Sequence, residues 1–390
     1  MTLLKTLQRR TPLGWRQLIH DKPRLLTAIA GIAFADILIF LQLGFQGALF
    51  YTNTKLPRQL DGDLVIFSTE AVNLMKSYTF SRRRLYQALD VPGVEQAKAL
   101  YFNTISWRHP ETQEKATLQI LGQDPEADVL LIPGVNQQRD AIKLPNTVLM
   151  DRAAKGDYAE VIAQVEQGQL VQTEIDRNTV SVTGLFNLGA SFASDGMLVT
   201  SDQTFLRFFP KRDASTVSVG LIDIAETADI LQVKRDLAAY LPDDVKVFTA
   251  EEYVEFEVNE IKTNSPIGAI FSIGSFMGFA VGVIIVYQVL STDVSAHMGE
   301  YATFRAMGYR QNYLLGVVFE EALIMSILGF IPSVGISFGL YQLTSAATSL
   351  PMLMTTARIV GIWVATVAMC VVSGAIATRK LQGADPADIF

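Results

Sequence analysis

Four long apolar segments dominate the pattern of hydrophobic and polar positions along this chain. They occupy residues 25–50, 267–290, 314–342 and 358–378. A helix needs about 20 predominantly apolar residues to cross a bilayer. The pattern therefore predicts four transmembrane helices, with the long segment 51–266 inserted between the first and the second. The first apolar segment exceeds the roughly 7–15 residues of a signal-peptide core, so we interpret it as an uncleaved anchor.

Residues 51–266 combine β-like runs with amphipathic helical runs. The β-like runs are rich in β-branched and aromatic residues and comprise DLVIFS (63–68), LYFNTISW (100–107), ATLQIL (116–121), TVSVTGLF (179–186) and TVSVGLIDI (216–224). The helical runs are SRRRLYQAL (81–89), ETADILQVKRDLAAYL (226–241) and AEEYVEFEVNEIKTNS (250–265). The predicted fold is thus a membrane protein with four transmembrane α-helices and a large α+β extracytoplasmic domain between helices 1 and 2.

The basic residues near the apolar segments predict the orientation of the chain in the membrane. Residues 1–24 hold six lysines and arginines and one acid, the tail 379–390 begins with Arg379 and Lys380, and the loop 343–357 has no charged residue. Basic residues favour the cytoplasmic side. We therefore expect an inner-membrane protein with both termini and residues 291–313 in the cytoplasm, and with residues 51–266 and 343–357 outside.

The composition narrows the possible functions. Charged residues make up 18% of the chain, against about 25% in soluble proteins. A net charge of −7 argues against nucleic-acid binding. There is one cysteine, and the three histidines are far apart, so we expect no metal site. The chain lacks the P-loop and H-E-x-x-H motifs, so we expect no catalytic residues and no cofactor in this chain.

Glycines recur at every fourth position of the second apolar segment. Gly274, Gly278 and Gly282 form this row, and Gly335 and Gly339 form a shorter one in the third segment. Small residues at this spacing let helix backbones approach closely. The rows fit either general packing within one bundle or a sliding or dimer contact.

Acidic residues within the apolar segments are candidates for helix packing or gating. Asp36 lies near the middle of the first segment, where a charge is expensive. It is expected to be protonated, bound to hydroxyl or backbone groups, or close to a water-filled cavity; a proton-relay role is an alternative. Glu320 and Glu321 lie about two turns into the third segment, where an interfacial role is the simpler interpretation.

The connection between the second and third segments carries charge and aromatic rings. The pattern predicts a short helix ended by Gly308 as its C′ residue, with Asn312 capping the next helix. The helix could lie on lipid, but that would favour several basic residues on its polar face. Docking into a groove on another protein fits better. The candidate ATPase-coupling residues are Glu300, Tyr301, Phe304, Arg305, Met307, Gly308 and Tyr309.

The stretch EYATFRAMGY (300–309) resembles the MacB/FtsX-type permeases of ABC systems. That family's usual pattern here is E-I-G-x-x-R-A-x-G, followed by an E-A pair in the next helix. This chain matches at Glu300, Arg305, Ala306 and Gly308 and at Glu321–Ala322. Tyr301 and Ala302 replace the usual Ile-Gly, and the tail ADPADIF ends without the usual Leu-Arg.

Within that superfamily, the chain is similar to DevC-type permeases of heterocyst-glycolipid-like ABC exporters. The stretches that carry this resemblance are 12–50, FNLGASFASDGMLVTS (186–201), EYATFRAMGY and RKLQGADPADIF (379–390). The resemblance implies a homodimeric permease that works by mechanotransmission. It also implies a separate cytoplasmic DevA-like ABC ATPase that carries ATP-Mg, a periplasmic DevB-like membrane-fusion adaptor and a TolC-like outer-membrane channel.

Two other classes of function remain open. An FtsX-like regulator would relay ATPase motion to a cell-wall hydrolase without transporting anything, and an adaptor gene beside this one would argue against it. A membrane enzyme or proton-coupled carrier would need clustered polar residues in the spans, whereas only Asp36 lies deep.

Overall fold

The computed structural model describes residues 15, 19–76, 78–176, 178–264, 266–300, 303, 307–309 and 311–378. Their contacts divide the chain into two compact units. The first comprises 1–47, 267–345 and 352–390, and the second comprises 48–266 and 346–351. The predicted fold class is confirmed: four helices are long and apolar enough to cross a membrane, and an α+β domain is inserted between the first and second of them.

The four membrane-grade helices are α1 (Lys22–Lys55), α8 (Pro266–Ala296), α9 (Gln311–Thr348) and α10 (Thr356–Ala377). All four are bounded differently from the apolar segments, because a helix can continue beyond the hydrocarbon core. The limits of the spans in the bilayer therefore stay predictions. Within the first unit, buried apolar side chains from all four helices form one core, which includes Ile32, Leu290, Met325 and Met369.

Two predictions concern helix α9: an N-terminal cap at Asn312 and a kink at Pro332. Asn312 was expected to cap the helix, and this is wrong, because the helix already begins at Gln311. Pro332 lies inside the helix as expected. A kink at that proline stays a prediction.

The second unit is built on a nine-stranded mixed sheet with the order β11-β1-β10-β3-β4-β8-β5-β7-β6. Its strands are β1 (Leu64–Ser68), β3 (Val94–Arg108), β4 (Lys115–Gln123), β5 (Thr147–Asp151), β6 (Val171–Ile175), β7 (Asn178–Phe186), β8 (Met197–Ser201), β10 (Val219–Ile224) and β11 (Val245–Thr249). β2 (Phe80–Ser81) pairs with β9 (Thr216–Val217) in a separate ribbon. One bridge between Trp107 and Ile175 joins β3 to β6, so strands β3, β4, β8, β5, β7 and β6 form a closed ring.

Both faces of this sheet are buried. Along β1, Leu64 and Ile66 enter one apolar core, while Val65 and Phe67 enter the other. Successive side chains of a strand point to opposite faces, so a strand covered on both sides has an unbroken apolar sequence. This explains why LVIFS could be recognised as a strand from its sequence.

Helices of the second unit cover the sheet. They are α2 (Arg83–Ala88), α3 (Pro133–Asn136), α4 (Ala159–Glu166), α5 (Asp202–Phe208), α6 (Ile230–Tyr240) and α7 (Ala250–Asn264). Helix α6 begins later than the run 226–241, because the Asp229 carboxylate accepts a hydrogen bond from Leu231 N at 2.9 Å and caps the helix there.

Candidate helix-coupling site in the membrane bundle

The glycine row of α8 packs directly on α1. A Cβ atom added at Gly278 would lie 2.9 Å from Ile39 Cγ1, and one added at Gly274 would lie 2.5 Å from Gln42 Cδ. One added at Gly282 would lie 2.0 Å from Met369 Sδ on α10 and 2.9 Å from Ala35 Cβ on α1. Contacts this short leave no room for a larger side chain unless its neighbour moves. The row therefore forms a close seam within one chain, and a sliding role stays a prediction.

Gly335 and Gly339 on α9 differ from the α8 row in how closely other atoms surround them. A Cβ atom at Gly335 or Gly339 would meet no atom of the described residues within 4 Å. Gly329, which the sequence pattern did not single out, instead faces α1, where a Cβ would lie 2.5 Å from Ile32 Cγ2. An isolated glycine in an apolar helix carries no periodic signal, so this contact could not be found from the sequence.

Asp36 is fully buried and lies between hydroxyl groups of two other helices. Thr366 Oγ1 on α10 donates to Asp36 Oδ1 at 2.8 Å, and Ser333 Oγ on α9 lies 3.4 Å from Asp36 Oδ2. Each hydroxyl carries a single hydrogen and also has a carbonyl of its own helix within reach, Ile362 O and Phe330 O. Asp36 is thus in contact with hydroxyl groups, which is one of the environments expected for it. These contacts join α1, α9 and α10.

A second buried polar cluster lies where α1 begins and α8 ends. Arg24 Nη1 donates to Asp293 Oδ1 at 2.8 Å, and Asp293 is 4% exposed. The side chain of Glu321 is fully buried and lies within electrostatic range of both Arg24 and Asp293, and its interfacial role stays a prediction. Its assignment to helix packing stays a prediction. Asp293 follows the second apolar segment and gives no periodic signal by which the sequence could indicate its role.

The predicted docking segment is described only in part. Tyr301, Phe304 and Arg305 lie outside the described residues. Gly308 has φ +88°, the left-handed conformation expected of a C′ residue, and Met307 N donates to Thr303 O at 3.0 Å. The side chain of Met307 is 60% exposed and that of Tyr309 is 47% exposed, with the Tyr309 ring 5.0 Å from that of Tyr313. The role of this segment, Glu300 included, stays a prediction.

At the α10 start, Arg358 joins three parts of the first unit. Its Nη1 donates to Leu353 O at 2.5 Å, and its guanidinium lies 5.9 Å from the centroid of the Tyr341 ring. The Tyr341 hydroxyl donates to Phe40 O on α1. Glycine at position 47 leaves space for the guanidinium. Arg358 directly follows an uncharged loop, and this position was the one signal in the sequence that could have indicated its role.

The second unit also contains a buried carboxyl group with a raised pKa, that of Glu257. Glu257 on α7 is 3% exposed, and its Oε1 accepts from Leu74 N at 2.7 Å. Burial raises the pKa of Glu257 to about 7, while the hydrogen bond from Leu74 opposes that rise. A cavity of about 40 Å³ lies beside it, lined in part by Asn53 and Gln119. Glu257 therefore titrates near neutral pH.

The described residues contain no group of three or more histidine, cysteine, aspartate or glutamate side chains that could hold a metal ion. The polar groups above are instead placed between helices. They can hold the helices together and respond to their movement.

Solved structures with some similarity to this chain include three domains of other proteins. The periplasmic region of MacB from Actinobacillus actinomycetemcomitans is 10% identical with a TM-score of 0.36, covering 51% of this chain and 93% of its own. The extracellular domain of the noncanonical ABC-type transporter YknZ from Gram-positive bacteria is 12% identical with a TM-score of 0.31, covering 48% and 99%. A domain of a putative permease from Porphyromonas gingivalis is 11% identical with a TM-score of 0.29, covering 49% and 89%. TM-scores of this size do not establish a common fold.

The sequence comparisons concern the membrane helices. No curated protein matches the chain. Residues 272–386 match the family described as FtsX-like permease C-terminal. This range takes in most of α8, all of α9 and α10, and the connection between α8 and α9. The C-terminal membrane part of this chain is thus similar to the C-terminal region of FtsX-like permeases.

Proposed function

We propose that this chain is the permease subunit of an ABC-type export system in the inner membrane. The observation that carries the proposal is the match of residues 272–386 to FtsX-like permeases. It includes the connection that was interpreted as a docking helix. The chain has no P-loop, so ATP hydrolysis falls to a separate cytoplasmic ATPase.

The proposed mechanism is transmission of movement through helices. The α+β domain is inserted between α1 and α8, and these two helices pack together along the glycine seam. A displacement of one against the other reaches the domain through the chain at both ends of the insertion. Buried polar contacts at Asp36 and Arg24 add defined links between helices. Such links favour discrete arrangements over continuous deformation.

The partners and cargo follow from the resemblance to DevC-type permeases. We propose a homodimer that works with a periplasmic adaptor of the membrane-fusion type and a TolC-like outer-membrane channel, and that exports a lipid or glycolipid. Asp36, the acid deep in the bundle, is held by hydroxyls. This fits work done by the outer domain better than passage through an aqueous pore.

The test of the proposal is co-purification with the ATPase. Phe304→Asp and Arg305→Glu should release the ATPase from the detergent-solubilised complex, because a charge opposite the wrong partner in a buried contact costs several kcal/mol. Lys76→Glu, an exposed change in the inserted domain, is the matched control and should retain it. Undiminished ATPase with both variants would contradict the docking role of this segment.

The cargo needs a separate experiment. Deletion of this gene should deplete one lipid class from the outer membrane, as measured by lipidomics. An unchanged lipid profile together with altered cell-wall hydrolysis would favour the regulator instead.

A further inference from the structure

A small cavity in the second unit lies against the buried Glu257 carboxyl. Its volume is about 40 Å³, and its lining includes Glu257 on α7, Asn53 on α1 and Gln119 on β4. A water molecule needs about 10–15 Å³ of such space, so the cavity has room for a small ion. It brings polar side chains from three separate elements of the unit to one space.

Each of these three side chains has an oxygen without a hydrogen-bond donor. Glu257 Oε1 accepts from Leu74 N at 2.7 Å, but Oε2 has no hydrogen-bond partner among the described residues. The amide nitrogens of Asn53 and Gln119 donate to groups other than Glu257. Neither Asn53 Oδ1 nor Gln119 Oε1 has a donor in the described part of the chain. The three side chains therefore each retain an acceptor oxygen.

The carboxyl also lacks a counter-charge. Glu257 is 3% exposed, and the charged neighbour that acts on it is another acid, Glu260. The Tyr253 hydroxyl interacts with the carboxyl, but as a neutral group. No basic side chain of the described residues forms an ion pair with Glu257. Because buried charges in proteins are paired or coordinate metals, the ionised carboxyl calls for a cation that these residues do not supply.

The lining favours a cation over water. Carboxylate and amide oxygens are ligands of hard cations. A water molecule has too few hydrogens for three acceptors, and it carries no charge. The amide of Asn73 also lines the cavity, but a neutral donor likewise leaves the carboxylate uncompensated. A single carboxylate favours a monovalent ion, since Ca²⁺ sites gain affinity from the number of charged ligands.

We propose that this cavity binds one small monovalent cation, of the size of Na⁺, through Glu257, Asn53 and Gln119. The carboxylate supplies the charge, and the two amides supply neutral oxygens. The Ser191 hydroxyl also lines the cavity and offers a further oxygen. With one charged ligand, this site differs from the clusters of three or more acids, histidines or cysteines that are absent from the described residues.

The ion ties together the helices at the two ends of the inserted domain. Asn53 lies in the last turn of α1, and Glu257 lies on α7, which precedes α8 in the chain. A second contact joins the same two helices, with Lys262 Nζ 5.7 Å from the centroid of the Phe50 ring. The ion thus adds a link between the segments by which the chain enters and leaves the domain. Its use in passing on movement rests on the proposed function, whereas its binding does not.

Thermal unfolding of the purified full chain in lipid nanodiscs tests this site. Melting is compared in NaCl and in N-methyl-D-glucamine chloride of equal ionic strength, at about pH 8, above the pKa of about 7 of Glu257. The melting temperature should rise with Na⁺ and saturate, because an ion that binds only the folded state stabilises it. Glu257→Gln should abolish this rise. Asn53→Ala should raise the half-saturating Na⁺ concentration roughly tenfold.

Glu255→Gln is the matched control, since Glu255 is exposed on the same helix. It should keep the wild-type response to Na⁺. The absence of a Na⁺-specific rise in the wild-type chain would overturn the proposal, as would an equal rise in Glu257→Gln. If Glu257→Gln does not fold, an unchanged half-saturating concentration in Asn53→Ala overturns it instead. If the response to Na⁺ is as expected while no ATPase co-purifies, the proposed function fails and the ion site stands.

Discussion

Thr366 on α10 and Asp36 on α1 are joined by a 2.8 Å hydrogen bond inside the bundle, although 330 positions separate them in the chain. The carboxyl is fully buried, so its free energy depends on these hydroxyl neighbours. Removing a partner from a buried polar group costs about 1–3 kcal/mol. This hydrogen bond is thus a link between the first and last membrane helices that can be tested by mutation.

Thr366→Val should lower the free energy of unfolding of the full chain by about 1–3 kcal/mol, because it leaves Asp36 Oδ1 without its donor. Ser333→Ala should cost less, because its contact with Asp36 is longer at 3.4 Å. Thermal or steric-trap unfolding in nanodiscs would measure both. A larger loss in the serine variant would mean that Ser333 is the main partner.

Gly278→Leu should reduce export and stability, because the new side chain would run into Ile39 on α1. Overpacking of this kind costs about 1–3 kcal/mol. Gly339→Leu is the matched control, since a Cβ there meets no described atom within 4 Å. Thermal melting of the two variants as monomers in detergent would compare their stabilities. An equal loss of stability in both would show that the close contact between α8 and α1 is not the cause.

Glu257 should make the stability of the chain depend on pH. Its pKa rises from 4.5 in the unfolded chain to about 7 in the folded domain, so the folded state favours the protonated carboxyl. This contribution is complete below pH 4.5 and is lost as pH rises through about 7, with a span of up to about 3 kcal/mol. Denaturation of the full chain at several pH values would measure it.

Glu257→Gln should flatten that pH dependence, whereas the exposed Glu255→Gln should leave it unchanged. If the free energy of unfolding of the wild-type chain instead rose between pH 5 and 7 as Glu257 ionised, the predicted direction of the pH dependence would be wrong.

The predicted orientation can be tested by thiol labelling in intact spheroplasts. In a chain with Cys370→Ala, single cysteines at Leu170 and Ala347, both exposed, should react with an impermeant reagent from outside. One at Gln382 should react only after lysis. External labelling of Gln382 would reverse the assignment of the termini to the cytoplasm.

The sequence predicted β1, whose run LVIFS has a strong apolar signal. It missed β5 (TVLMD) and β8 (MLVTS), although every position of both strands is buried. It also missed β6 and β11, whose buried positions alternate with exposed or half-exposed ones in VQTEI and VKVFT. Five residues with polar alternation are easily taken for a loop.

The candidate site was predictable only where the signal is local. The row around Gly278 has a period, and Asp36 is conspicuous in an apolar segment. The link between Arg24 and Asp293 joins residues 269 positions apart and depends on which helices become neighbours. The burial of Glu321 was not predictable for the same reason, since its depth along one helix does not show what packs against it.

The central claim, that this chain passes the work of an ATPase through its helices, is tested most directly by ATP hydrolysis in proteoliposomes. The partner ATPase should hydrolyse ATP faster with the wild-type chain and with Lys76→Glu than alone. Phe304→Asp and Arg305→Glu should abolish that stimulation. Full stimulation by both variants, or none by the wild-type chain, would contradict the account.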